Sequence, residues 1–246
     1  MKAFFTAIQF LTVIPLPRAF AGDVEDLGKS VPFFPVVGLL IGMMAAILVF
    51  FLVAILPPLP ACAMIVIFLI SVSGGLHMDG LADTADGFFS ARPRERILEI
   101  MKDSRIGVMG VIAVVCAIML KVSLLVSLPP SSRTDIIFLM PLAGRCALVV
   151  MMTALPYVRG EGGLATLFVK SRSRIHALWA ALFLIVVAGL TAKWMGLAAA
   201  IATLAATALF AWYCFRKIGG YTGDTLGAVC EIAEIIPVLI AVAWGR

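Results

Sequence analysis

The residues in this chain most able to do chemistry are aspartates. The segment GGLHMDGLADTADGFF at 74–89 sets Asp79, Asp83 and Asp86 at spacings of four and three. At 100° per residue a helix carries those three carboxylates within about 60° of one another on one face. Like charges packed this way repel, and no Lys or Arg occurs between Lys29 and Arg92 to offset them. A bound cation is the reading these residues favour, and oxygen-only ligands select a hard ion, magnesium or manganese. The plainer alternative is a helical turn whose aspartates cap it and face solvent. Gly80 and Gly87 would let a ligand approach the backbone closely. His77 could hydrogen-bond a substrate phosphate or a neighbouring carboxylate, or serve the fold alone.

Three further groups could act with these acids. The stretch ERILEIMKDSRIG at 95–107 offers Lys102, Asp103 and Arg105, and lysine as a point charge with arginine as a planar fork suits clamping of phosphoryl oxygens. Basic residues beside a membrane span have the same composition without any such role. Arg145 stands inside the apolar run PLAGRCALVVMM. Its cost there makes it a functional candidate, paired with the aspartates or with substrate, or else half of a buried structural ion pair. Lys121 is as deeply placed and has no evident partner. KIGGYTGDTLGAVCEIAEIIP at 217–237 carries Asp224, Glu231 and Glu234. Asp224 and Glu231, seven apart, share a helix face and could complete a two-metal or metal-plus-base site; capping by Asp224 is the bland alternative.

What must position these groups is a membrane. Of 246 residues 63% are hydrophobic and 13% charged, with mean hydropathy +1.12, against about 25% charged in soluble domains. The pattern predicts an all-α polytopic transmembrane helical bundle, a single integral membrane catalytic domain over 1–246. Seven apolar runs are long enough to count as spans: 33–56, 60–78, 107–128, 135–155, 176–192, 195–215 and 226–244. Residues 3–14, ending at Pro15 and Pro17, are too short to cross and are expected as an interfacial or re-entrant helix. Cys62, Cys116, Cys146, Cys214 and Cys230 are scattered singly in or beside apolar runs and read as small hydrophobes.

The seven runs divide the 19 Lys and Arg unequally. Fourteen, including Arg18, Lys170 and Arg172, fall on the side holding the N-terminus; Arg133, Lys193 and Arg246 fall on the other, and Lys121 and Arg145 lie within the runs. The positive-inside rule then puts the N-terminus and the acidic motif on the cytoplasmic side. The excess of +5 is a membrane signature and implies no nucleic-acid partner.

With these segments in view, GGLHMDGLADTADGFF, IMKDSRIG and KIGGYTGDTLGAVCEIAE, together with LTVIPLP and FFPVVGLLIG, resemble the signature segments of the cobalamin synthase family, over nearly the whole chain. Tyr221, Cys230 and the loop at 157–174 are positions where variation is expected. The resemblance implies the last assembly step of adenosylcobalamin. α-Ribazole or its 5′-phosphate attacks the pyrophosphate of adenosylcobinamide-GDP, GMP leaves, and Mg2+ is the cofactor. It implies Asp79, Asp83 and Asp86 as metal ligands, Lys102, Arg105 and Arg145 as phosphate clamps, and Asp103, Asp224 or Glu231 as base. It also implies a bacterial cytoplasmic (inner) membrane location with the lipid bilayer as partner; a homo-oligomer remains open, since contacts between subunits could also satisfy Arg145 and Lys121.

Two other readings compete. CDP-alcohol phosphotransferases also set aspartates on membrane helices, in a D-x-x-D-G-x-x-A-R then G-x-x-x-D-x-x-x-D order. Here Asp83, Asp86 and Gly87 are followed one position late by Ala91 and Arg92, while Gly75, Asp79 and Asp83 precede instead of following. A cation transporter would gather its buried charges near the midplane on interrupted helices with internal repeats; the acids gather at one interface and no repeat is evident.

Overall fold

The computed structural model describes residues 2–17, 24–159 and 173–245; Arg18, Lys170, Arg172 and Arg246 therefore lie outside the described residues, as does most of the loop at 157–174. Apolar backbone in lipid has no water to satisfy its N–H and C=O groups, so the apolar runs close their hydrogen bonds internally as helices. In chain order these are α1 (Lys2–Leu11), α2 (Val24–Ser30), α3 (Phe34–Ile55), α4 (Pro58–Val72), α5 (Leu76–Phe88), α6 (Arg94–Ile100), α7 (Val108–Ser127), α8 (Pro130–Ala154), α9 (Arg174–Ile218) and α10 (Gly223–Trp244). Prolines at the first positions of α3, α4 and α8 fit there because those N–H groups have no helical partner anyway.

The chain is a multi-pass membrane protein. Helix α8 is its central member, buried along most of its length against α3, α9 and α10. Helices α3, α7 and α9 turn Phe50, Phe51, Met119, Leu190 and Trp194 outward, as lipid-facing helices do. By length and composition five helices can cross a bilayer, or six when α4 and α5 are taken together as one bent pair. Seven is more than this count, and the difference has two local causes.

The expected run 60–78 overruns a break. Gly74 and Gly75 adopt φ of +62° and +76°, a left-handed geometry that ends α4 and turns α5 away by 88°. Helix α5 thus leaves the direction of α4, and its acids do not continue a span. At α9 the expected runs 176–192 and 195–215 fall inside one element of 45 residues, about 68 Å if straight and far beyond a hydrocarbon core of about 30 Å. It is broken at Ala192 and Lys193, where φ reaches +51° at Lys193. A Cβ on Gly196 would stand 1.9 Å from the Ala188 carbonyl oxygen, whereas residues eight apart in an unbroken helix are separated by about 12 Å. The chain therefore doubles back at 192–193, setting Ala188 and Gly189 against Gly196 and Leu197. Helix α1 is ten residues long, too short to cross.

Candidate active site

Helix α5 is held on three sides. Its N-terminal turn hangs from the glycine break. Its last carbonyls meet Lys217, whose Nζ donates to the Phe88 oxygen at 3.0 Å, a cation where the helix dipole is negative. Its flank crosses the start of α10 so closely that Gly80 and Gly227 touch backbone to backbone: a Cβ on Gly80 would lie 2.7 Å from the Asp224 carbonyl oxygen. The close approach predicted for Gly80 therefore belongs to a neighbouring helix, which brings Asp224 in the first turn of α10 beside the acids of α5. Gly87 likewise backs onto Met101 and Ile97.

The consequence is electrostatic. Asp79 is exposed and Asp83 half-buried. Burial pushes the Asp83 carboxyl up to about 7, helped by the negative charges of Asp224 and Asp79 and opposed by Arg159. Arg159 is the cation that reaches this group. Its Nη2 donates to Asp224 Oδ2 at 2.5 Å and to the Met101 carbonyl at 3.1 Å, while its buried Nε has no partner among the described residues. Two backbone hydrogen bonds set its position: Tyr221 N–H donates to the Pro156 oxygen at 2.9 Å and Val158 N–H to the Tyr221 oxygen at 3.1 Å. Thr222 and Thr225 cap α10 reciprocally, and the Thr222 hydroxyl also donates to Asp224 at 3.3 Å.

Two cavities meet at Asp79. One, of about 270 Å³, runs between α1, α3, α5, α8 and α10 and includes Asp79, Asp224, Arg159 and His77 in its lining. The other, about 690 Å³ and more open, lies over the glycine break and reaches Ile106 and Val114. Phe10, Leu76 and Asp79 line both.

Comparison with known proteins gives this arrangement a family. The profile of the Cobalamin-5-phosphate synthase family matches residues 3–242. The chain is 40% identical over 234 residues to the adenosylcobinamide-GDP ribazoletransferase of Acetivibrio thermocellus, covering 95% of this chain and 94% of that protein. It is 37% identical over 246 residues to the protein of the same name from Geotalea daltonii, covering 100% and 98%, and 35% identical over 253 residues to that from Listeria monocytogenes, covering 100% and 99%. The chain belongs to the cobalamin-5-phosphate synthase family. No solved structure matches it.

In this cobalamin-5-phosphate synthase family member the other residues singled out by sequence are distributed as follows. Asp86 caps α7, accepting from Gly107 N–H at 2.6 Å and Gly110 N–H at 2.8 Å; here the capping alternative describes the geometry. Asp103 and Arg105 form an exposed fork with each other, Nη2 to Oδ2 at 2.6 Å, and that guanidinium holds Asp103 down at about 2. Lys102 is exposed beside them, and neither it, Asp103 nor Arg105 lines either cavity. His77 is buried and does line the smaller one.

Arg145 and Glu231 are not brought to the aspartates. They belong to a buried network between α7, α8 and α10, in which Lys121 Nζ donates to Glu231 and to Glu234, each at 2.6 Å, and Arg145 Nη1 donates to the other oxygen of Glu234. All four are almost wholly buried. The alternative of a structural ion pair fits Arg145, because a charge at that depth needs a partner within reach. Lys121 thereby acquires the partner its sequence context did not reveal. Sequence reasoning missed Arg159 and Tyr157 outright. Both lie just after α8, and the only available signal was a guanidinium close behind the last apolar residues of a span.

Proposed function

We propose that this protein carries out the last assembly step of adenosylcobalamin, transferring the adenosylcobinamide-phosphate group of adenosylcobinamide-GDP to α-ribazole or α-ribazole 5′-phosphate and releasing GMP. The observation that carries this reading beyond the family is that two cavities meet at Asp79, with Asp224 and Arg159 lining the smaller one and Asp83 within electrostatic reach of all three. A transfer between two substrates needs two adjoining spaces with charge-handling groups at their junction.

Magnesium fits this donor set in a particular sense. Among the described residues no three acid, histidine or cysteine side chains stand close enough to hold a metal by themselves. Magnesium is commonly bound by one or two carboxylates, with substrate phosphates completing the shell. Asp79 and Asp83 would supply the hard oxygen ligands, and substrate phosphate would complete the shell. When bound, the metal would offset charge on the pyrophosphate and on the departing GMP. Arg159 binds phosphoryl oxygens through its planar fork. Asp224 is the one of the three base candidates that lines a cavity, and it accepts the proton of the attacking ribose hydroxyl. The basic-residue distribution supports a site facing the cytoplasm of a bacterial inner membrane, where nucleotides reside.

The leaving group tests this reaction. Purified protein given adenosylcobinamide-GDP, magnesium and acceptor is expected to release GMP in equal amount to the corrinoid product. GDP release would mean cleavage between the aminopropanol and its phosphate, which overturns the proposal. CMP release from a CDP-alcohol, with the corrinoid donor untouched, would favour the phosphotransferase alternative.

A further inference from the structure

The two cavities differ in chemistry, and the difference assigns them. The smaller has a wall contributed by α1, α3 and α8 in which Phe10, Phe34, Leu148 and Met152 present no side-chain nitrogen or oxygen. Phe10 and Phe34 stack at 5.8 Å with an interplanar angle of 15°, so this wall is aromatic as well as apolar. The opposite side, from α5, α10 and the segment after α8, carries His77, Asp79, Asp224, Tyr157 and Arg159. The space suits a molecule with a flat apolar body and a polar end directed at the acids.

Resting on the reaction proposed above, we infer that this cavity is the acceptor subsite, holding the benzimidazole of α-ribazole against Phe10, Phe34 and Met152 with its ribose at Asp224. Three observations discriminate among the parts of the two substrates. The cavity holds about 270 Å³, near the lower end of ligand sites, so a corrin macrocycle cannot enter. Guanine carries N–H and C=O groups around much of its edge, and the part of that edge set against these four side chains would be left unsatisfied, which is costly. A dimethylated benzimidazole carries methyl groups there instead, and their burial is favourable. The larger, open cavity of about 690 Å³ is left for the donor, with Asp79 common to both.

The test separates acceptor from donor. Met152→Phe shortens the cavity without touching a charged group. It is expected to raise KM for α-ribazole at least tenfold, leave KM for adenosylcobinamide-GDP within twofold, and retain kcat at saturation. Phe34→Leu, at a residue that lines this cavity and not the larger one, removes half of the aromatic wall and provides the same split should the first variant fail to fold. In wild-type protein, omitting both methyl groups from the acceptor base should weaken its binding roughly tenfold, as two buried methyls imply. A rise in donor KM with the acceptor unaffected would overturn the assignment and give the cavity to guanine. Equilibrium binding of α-ribazole to donor-free protein is measured alongside. If wild-type protein releases no GMP, the reaction reading fails, and the subsite still stands or falls on whether Met152→Phe weakens that binding.

Discussion

Replacing Lys121 with methionine keeps an unbranched side chain one atom shorter and removes its charge. In the folded protein Lys121 lies 2.6 Å from both Glu231 and Glu234, Arg145 holds the remaining oxygen of Glu234, and formal charge over the four residues cancels. Lys121→Met leaves two buried carboxylates facing one guanidinium. Breaking a buried pair from one side costs about 3–5 kcal/mol, and at about 2–4 °C per kcal/mol for a chain of this size Tm falls on the order of 10 °C. Lys121→Met with Glu231→Gln restores neutrality and should recover most of the loss, giving a coupling of about 2 kcal/mol or more between the two sites. The assay is reversible unfolding of the four proteins of this cycle in one detergent, by temperature and by denaturant. A single variant losing under about 1 kcal/mol, or a double variant losing the sum of the singles, would refute charge balance as the reason these helices carry ions.

Asp86→Asn weakens the cap on α7 and should cost about 1 kcal/mol of stability with turnover per folded molecule retained, whereas Asp83→Asn should abolish turnover in protein that inserts and purifies normally; equal loss in both would return Asp86 to the metal set. Because Asp83 is raised to about 7 in the folded protein, its contribution to stability is full below the ordinary carboxylate range and is lost as pH rises through about 7. Added magnesium should therefore raise Tm more at pH 8 than at pH 6, with Asp83→Asn removing the difference; a larger shift at pH 6 would contradict the cause assigned to that carboxyl. For orientation, a cysteine at Arg92 in a background without native cysteines should be shielded from an impermeant thiol reagent outside intact cells, and one at Lys193, at the exposed break of α9, should react. The opposite labelling would invert the assigned sides.

The sequence reads well where a property is local. Three aspartates at spacings of four and three imply a shared helical side, and a 45-residue apolar stretch cannot be one span, so the reversal at 192–193 falls between two expected runs. It reads poorly where two distant segments must meet. Gly80 and Gly87 imply close approach, but only the fold says that the approaching groups are α10 and Met101. Arg145 implies a partner, and Glu234 stands 89 residues away on another helix. Asp86 is indistinguishable from its neighbours by spacing, yet its carboxylate meets the amino end of α7. Arg159 sits in a stretch expected to vary, and its place at the site depends on a two-bond clamp to Tyr221 that no pattern in either segment announces.

Asp79 and Asp83 are proposed to hold a divalent metal together with the donor's pyrophosphate. Manganese, a hard ion of similar preference with a paramagnetic signal, reports this directly. Titrated into purified protein, Mn2+ should bind weakly alone and tightly, in a ratio near one or two per chain, once adenosylcobinamide-GDP is present. Asp79→Asn with Asp83→Asn should abolish the donor-dependent binding while leaving the protein folded. Equally tight binding to that double variant, or tight binding that ignores the donor, would contradict the account.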